Sequence, residues 1–445
     1  MTALDGFFRL KENGTSVRTE VVAGLTTFVT MAYIVIVNPL TLAGPNSGTG
    51  MDFGAVMMAT CLASALATLV MGLFANYPFA LAPGMGLNAF FTYGLCKGMG
   101  LPWQVAMGAV FLSGCFALLV TLTRIRETII EAIPSYLKAA VGAGIGLFIA
   151  FIGLKNAGII VDHPATFVGL GRMGAPGVLL SLFGLLLTCI LLIRKVTGAI
   201  LIGILVAAAV GLFVPAGGGK MVTQFTPGKL FLADLPPSLA PGLFKLDILA
   251  ALTPTLFVPI FSLFFVDLFD TIGTFVGVAR RTGMIDEQGR LKRGSRALVA
   301  DSLGTVIGSL LGTSNTTTYV ESAAGVNAGG RTGLTAVVVA ACFLLSTFLS
   351  PVVTAVPAQA TAPALILVGV LMCGVLGEID WGELPVAIPA FLTILLMPLT
   401  FSIATGLAFG FIAHVLLALL TGKASEVHWF LYVLTALFVV YFAVQ

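Results

Sequence analysis

Of the 19 acidic residues in this 445-residue chain, four fall inside or beside stretches that are otherwise apolar: Asp267, Asp270, Asp301 and Glu321. A carboxylate at the centre of a bilayer costs about 2.5–3.5 kcal/mol on insertion scales, so each asks for a reason. Asp267 and Asp270 stand three positions apart in FFVDLFDTIGT, about one turn apart on one helix face. Two acids that close cannot both ionise easily in a low dielectric, which makes the pair a good place to hold a proton. Glu321 has a different setting, TSNTTTYVESAAGVNAGGRTG from Thr313 to Gly333. The polar run Asn315 to Thr318 is β-prone, and Ser322, Ala323, Ala324 and Gly325 permit a short helix, so this stretch reads as a strand followed by a half-helix. Such backbone is tolerated at membrane depth only where protein buries it or where it lines a cavity. Asp301, in LVADSLGTVIG, reads at least as well as a helix–helix hydrogen-bond partner.

A second stretch has the same design. Pro78 to Cys96, PFALAPGMGLNAFFTYGLC, holds Pro78, Pro83, Gly84 and Gly86, which break any continuous helix and predict an extended piece with a half-helix starting near Pro83. Asn88 follows, and its amide can both donate and accept. Phe79 could stack on a ring, although with 33 phenylalanines in the chain a packing role competes. Sliding the sequence on itself by 237 positions (304 − 67) lays Ala67 to Asn88 on Gly304 to Gly325, with Thr68 on Thr305 and Gly84 on Glu321. The identity is weak, as expected of internal repeats visible mainly in hydropathy and interrupted segments.

The elements that position these residues must be membrane spans. The chain is 58% apolar and 9% charged, with mean hydropathy +1.08. Arg9, Lys11, Glu12, Arg18 and Glu20 precede the first long apolar run, which lacks a small-residue cleavage site, so no cleavable signal is expected. The six cysteines show no CxxC spacing and read as small core residues, not as metal ligands or disulfides. His163, His414 and His428 lie away from the acidic centre, leaving proton handling to Asp267, Asp270 and Glu321. No Walker, HExxH or GxSxG motif occurs, and PAGGGK at Pro215 to Lys220 lacks the context of a phosphate loop. The expected energy source is an ion gradient, with no cofactor. Basic residues sit in short loops, so a nucleic-acid partner is not expected.

Apolar runs predict spans at 20–40, 54–75, 103–123, 136–155, 175–193 and 197–214, with the broken segment 78–96 as the third element. After a Pro- and Gly-rich loop from Pro215 to Lys245, the order repeats at 255–279, 294–311, the broken 314–328, 332–350, 360–377, 383–420 with a break at Pro398, and 427–444. The expectation is an all-α membrane protein of 14 transmembrane segments in two repeats of seven, inverted because seven is odd, with segments 3 and 10 each a short strand plus half-helix. With the N-terminus cytoplasmic, Lys97, Lys155, Arg172, Lys220, Lys229, Lys245 and Lys423 fall outside. The other fifteen of the 22 basic residues fall inside, including Arg124, Arg126, Arg280, Arg281, Arg290 and Lys292.

TTTYVE (Thr316 to Glu321), DTIGT (Asp270 to Thr274), GGRTG (Gly329 to Gly333), TTFVTMAYIVIVNP (Thr26 to Pro39) and APGMGLNAFF (Ala82 to Phe91) together resemble the nucleobase permeases, in particular the AzgA-like purine permease branch. That resemblance implies a core domain (20–123 and 255–350, segments 1–4 and 8–11) moving against a gate domain (136–214 and 360–444, segments 5–7 and 12–14). It implies purine import with protons across the bacterial inner membrane, and a homodimer formed through the gate domain. It places Asp267 and Asp270 on the base or on the residues that hold it, and brings Glu321, after Thr318, Tyr319 and Val320, from the other side. Asn88 completes the site, with Phe79 kept for its position. The xanthine, uracil and ascorbate branch typically has Asn after the acid of segment 10, where this chain has Ser322, so those substrates are disfavoured. An anionic substrate would be repelled by the acidic centre. The resulting expectation is a secondary active transporter importing adenine, guanine or hypoxanthine by proton symport with alternating access. The alternative is a uniporter or channel for a nucleobase or small neutral solute; with no second catalytic motif, an enzyme is not expected.

Overall fold

The computed structural model describes residues 3–123, 129, 132–217, 220–224, 236–279, 284 and 293–444. Arg124, Arg126, Lys229, Arg280, Arg281, Arg290 and Lys292, assigned sides above from charge, lie outside the described residues.

The first segment is a pair of helices, Val17–Met31 (α1) and Ile34–Ala43 (α2), kinked at residues 32–33. Ser16 caps α1 by accepting from Thr19 N at 3.2 Å, satisfying one of the orphan first-turn donors. Phe53–Val70 (α3), capped by Asp52 on Ala55 N at 2.7 Å, runs on through a wider π-type turn to Asn76, which is left-handed (φ 53°). The broken stretch supplies a strand, Leu81–Pro83 (β1), and a short helix, Met85–Ala89 (α4), continued as a π-type helix to Gly98. Then come Trp103–Leu122 (α5), Ser135–Asn156 (α6), Pro176–Ile193 (α7) and Ala199–Gly211 (α8).

The second half brings Phe257–Ala279 (α9) and Gly294–Leu311 (α10), the strand Thr316–Thr318 (β2) with its helix Ser322–Asn327 (α11), and Gly333–Ser346 (α12). Ala358–Met372 (α13), Leu384–Leu399 (α14), Ile403–Leu420 (α15) and Trp429–Val444 (α16) follow. Among the described residues, nine helical stretches are long and apolar enough to cross a membrane, which marks an integral membrane protein.

Helices α3, α5, α10 and α12 pack side by side, with α1 against α12 and α9 against α5. A second group joins α6 to α13 and α14, α14 to α15, and α7 to α8. Its central pair meets backbone to backbone: a Cβ on Gly146 of α6 would stand 2.8 Å from Gly369 O of α13, the close approach that membrane helices use glycine to reach.

The two broken stretches pair with each other. Strands β1 and β2 run antiparallel with Leu81 opposite Thr318, Ala82 opposite Thr317 and Pro83 opposite Thr316. Gly84 N donates to Asn315 O and Tyr319 N to Ala80 O, each at 2.9 Å, extending the ladder at both ends. Thr68 of α3 closes on Leu81, donating to its carbonyl at 3.0 Å and accepting from its N–H at 2.9 Å. Its counterpart in the internal repeat, Thr305 of α10, sits 3.0 Å from Thr316 O. Each half thus uses one buried threonine to satisfy strand backbone that lipid could not.

One expectation is corrected. Residues 383–420 are not one broken segment but two helices, α14 and α15, lying against each other, and the second half therefore has one element more than the seven anticipated. The chain reverses at Phe401, which is left-handed (φ 51°), and Ser402 restarts the helix by capping Thr405 N. Lys155 lies over the Phe401 ring at 5.3 Å, whereas His414, eleven residues into the returning helix, meets Tyr136 at 2.7 Å at the other end of α6. Lys155 and Lys423, both placed outside from charge, consequently lie at opposite ends of the helix bundle.

Candidate functional site

The pairing of β1 with β2 brings the first turns of α4 and α11 to one cavity of about 110 Å³. One wall is Tyr33, Asp270 and the run Thr317 to Glu321, and the facing wall is apolar, with Ile145 and Ile149 of α6 and Val368 and Met372 of α13. Gly84 and Gly86 line it from the first half, where added side chains would strike Thr317 and Ile145.

Asp270 and Glu321 reach this cavity from different elements. Thr317 Oγ1 donates to Asp270 Oδ2 at 3.4 Å, and Tyr33 donates its hydroxyl to Glu321 Oε1 at 2.7 Å. Thr318, Tyr319 and Val320 line the cavity as well. Tyr319 also fixes the crossing, because its hydroxyl donates to Pro83 O at 2.6 Å.

The other anticipated residues stand behind this wall. Asp267, three residues before Asp270, is buried and does not line the cavity: its Oδ2 accepts from Asn315 Nδ2 at 3.4 Å and shares with Thr316 O the single proton of the Thr305 hydroxyl, 3.0 Å from each. Asn88 is buried and its amide oxygen accepts from the Ser314 hydroxyl, which ties α4 to the residue before the polar run of β2. Phe79 is fully buried, stacked between Tyr77 and Phe275 at 5.1 Å on each side. Asp301 is tied on both oxygens, to Thr271 and Thr318 at 2.9 Å each, which matches its reading as a structural partner. The Thr317 and Thr271 hydroxyls stand 3.0 Å apart, so the donors to Asp270 and to Asp301 lie side by side.

Tyr33 was not singled out from the sequence, although it lies in TTFVTMAYIVIVNP; the available signal was a lone hydroxyl in an apolar run that packs against another element. Ser322, marked as the point of departure from the xanthine and uracil branch, accepts from Ala80 N at 3.0 Å and so ties α11 to the first broken stretch.

Two carboxylates, Asp270 from α9 and Glu321 from the second broken stretch, opposite an apolar wall form a site for a small, partly polar solute. The family model described as "Permease family" matches residues 18–409. The chain belongs to this permease family. It is accordingly a transporter and not an enzyme. It is 48% identical to the guanine/hypoxanthine permease PbuG of Bacillus subtilis, over 98% of this chain and 98% of that one. It is 43% identical to the adenine permease AdeP of Escherichia coli, over 98% and 95%. These relatives bear out the resemblance carried by the motifs. Among solved structures, the transmembrane domain of the cyanobacterial bicarbonate transporter BicA covers 89% of this permease and 97% of its own chain, with a TM-score of 0.63 at 16% identity, a likeness of fold alone.

Proposed function

We propose that this permease imports purine bases, adenine, guanine or hypoxanthine, by proton symport across the bacterial inner membrane, with its N-terminus cytoplasmic. The observation that carries the reading is the placement of Asp270 and Glu321 on one wall of a cavity whose other wall is apolar. A neutral purine is flat, with an apolar face and an edge of N–H donors, so Ile145, Ile149, Val368 and Met372 would cover the face while the two acids and nearby backbone groups hold the edge. The names of the relatives, guanine/hypoxanthine and adenine permeases, support the same substrate class.

Coupling would follow from linkage. A proton on one of these acids changes what it can accept from the base, so protonation and binding favour one conformation together. Asp270 and Glu321 would carry this role, with Asp267 tuning Asp270 from behind. The proton gradient would then be the only energy source, with no cofactor.

For the fold, the reading is fourteen segments in two inverted repeats, core against gate. In support, neighbours recur in corresponding order: α10 lies on α5 as α3 lies on α12, and the α7–α8 hairpin beside α13 matches the α14–α15 hairpin beside α6. On that reading α13, α14 and α15 are segments 12–14, and α16 is an additional C-terminal helix. The cavity lies between the two helix groups, where rocking of one against the other would expose it to alternate sides.

The test is binding competition on purified protein, with radiolabelled hypoxanthine as probe. Displacement by adenine or guanine but not by uracil is expected, and displacement by uracil alone would reject the purine reading.

A further inference from the structure

Glu20 lies near the start of α1, does not line the cavity, and is fully buried. Its carboxylate accepts four hydrogen bonds from the second half of the protein. Oε1 takes Arg331 N at 2.9 Å; Oε2 takes Thr332 N at 3.3 Å, Thr335 N at 3.1 Å and Thr335 Oγ1 at 2.6 Å. Three of the donors are backbone N–H groups at or just before the start of α12, where helix geometry leaves N–H groups short of partners and the dipole favours a negative charge; Thr335 N also reaches Thr332 O at 3.3 Å.

The same turn also ends α11. In GGRTG, Gly329 takes the left-handed conformation (φ 107°), and Arg331 folds its guanidinium back to donate to Val326 O at 2.6 Å and Gly330 O at 2.8 Å. What holds this turn therefore holds the far end of the short helix that carries Glu321.

The α1–α2 pair meets that helix at three heights. At the foot Glu20 binds the turn. In the middle Gly325 sits on α1 so closely that a Cβ would stand 2.5 Å from Ala23 O and collide with Thr27. At the head Tyr33 donates to Glu321.

We propose that Glu20 is a positioning residue for the substrate site: by fixing the turn between α11 and α12 to α1, it sets where Glu321 stands beneath Tyr33. The inference rests on the purine reading only for the identity of the ligand. A carboxylate suits the post because both of its oxygens accept. In Glu20→Gln, one of them becomes an NH₂ facing N–H donors that cannot accept from it.

The test compares three variants with the wild-type protein, by hydrogen exchange without ligand and by hypoxanthine uptake in proteoliposomes. Glu20→Gln should speed exchange across residues 322–333 and raise the uptake KM about tenfold, the scale of losing a hydrogen bond to a charged group, with the maximal rate changed far less. Gly325→Ala, which pushes α11 off α1 without touching Glu20, should do the same. Asp52→Ala removes the acceptor that Asp52 Oδ1 offers Ala55 N at 2.7 Å, a cap at the start of α3 and outside the turn between α11 and α12. It should lower the melting temperature and leave KM unchanged. Unchanged exchange over 322–328 in Glu20→Gln would overturn the proposal, and so would an equal rise of KM in Asp52→Ala, which would reduce the effect of Glu20 to a general loss of stability. Faster exchange in Glu20→Gln with no purine uptake by the wild-type protein would sustain the positioning role and reject the purine reading instead.

Discussion

The hydroxyl of Tyr33 stands 2.7 Å from Glu321 Oε1, joining residues 288 positions apart. The kink between α1 and α2 presents the tyrosine to the head of α11, so the first half of the chain sets the orientation of an acid in the second. Tyr33→Phe removes the donor without changing the shape of the wall. Losing a hydrogen bond to a charged group costs about 1.5–3 kcal/mol, so the melting temperature should fall and, with Glu321 no longer held in place, the KM for hypoxanthine should rise roughly tenfold or more. An unaltered KM would separate Tyr33 from the site.

Neutralising the acids on the cavity wall tests coupling. In Asp270→Asn and Glu321→Gln the side chains keep their size and lose the titrating group. Each variant should lose uptake against a gradient driven by protons, measured as accumulation in proteoliposomes at external pH below internal pH. Accumulation as in the wild-type protein by either variant would exclude that residue as proton carrier.

The crossed strands depend on their threonine clasps. Thr68→Val leaves both Leu81 N and Leu81 O without the partner they have now, and buried unpaired groups cost about 1–3 kcal/mol each. A lowered melting temperature together with weakened hypoxanthine binding is expected, because β1 holds the start of α4 at the cavity. Thr68→Ser, which keeps the hydroxyl, should recover most of both.

The α14–α15 hairpin makes a topological prediction. Cysteines placed at Lys155 and at Lys423 should react with an impermeant thiol reagent from opposite faces of the membrane. Helix α15, at 18 residues, spans about 27 Å between the Phe401 turn and the turn holding Lys423. Labelling of both from the same side would contradict the hairpin.

Much of this was legible in the sequence because lipid leaves few ways to satisfy a backbone. Proline and glycine at Pro83 and Gly84, and the polar run before Glu321, marked the two broken stretches, and hydropathy placed most helices within a few residues. The turn at Phe401 escaped because a left-handed phenylalanine leaves no compositional mark, and Pro398 alone reads equally as a kink. Among the candidate site residues, Asp270 and Thr318 to Glu321 share a cavity, whereas Asp267, Asn88 and Phe79 support it from behind. A spacing of three puts two aspartates on one helix face without saying which of them faces a void and which faces Thr305. Tyr33 and Glu20 were hidden for the opposite reason, since their partners lie about 300 residues away and only the folded chain brings them together.

The most direct test of the central claim is radiolabelled hypoxanthine uptake into proteoliposomes with and without an imposed inward proton gradient, at fixed membrane potential. Accumulation that rises with the gradient, collapses with a protonophore and is blocked by excess adenine or guanine is the predicted result. Uptake that equilibrates at the same rate and level whatever the gradient would contradict symport and leave a uniporter.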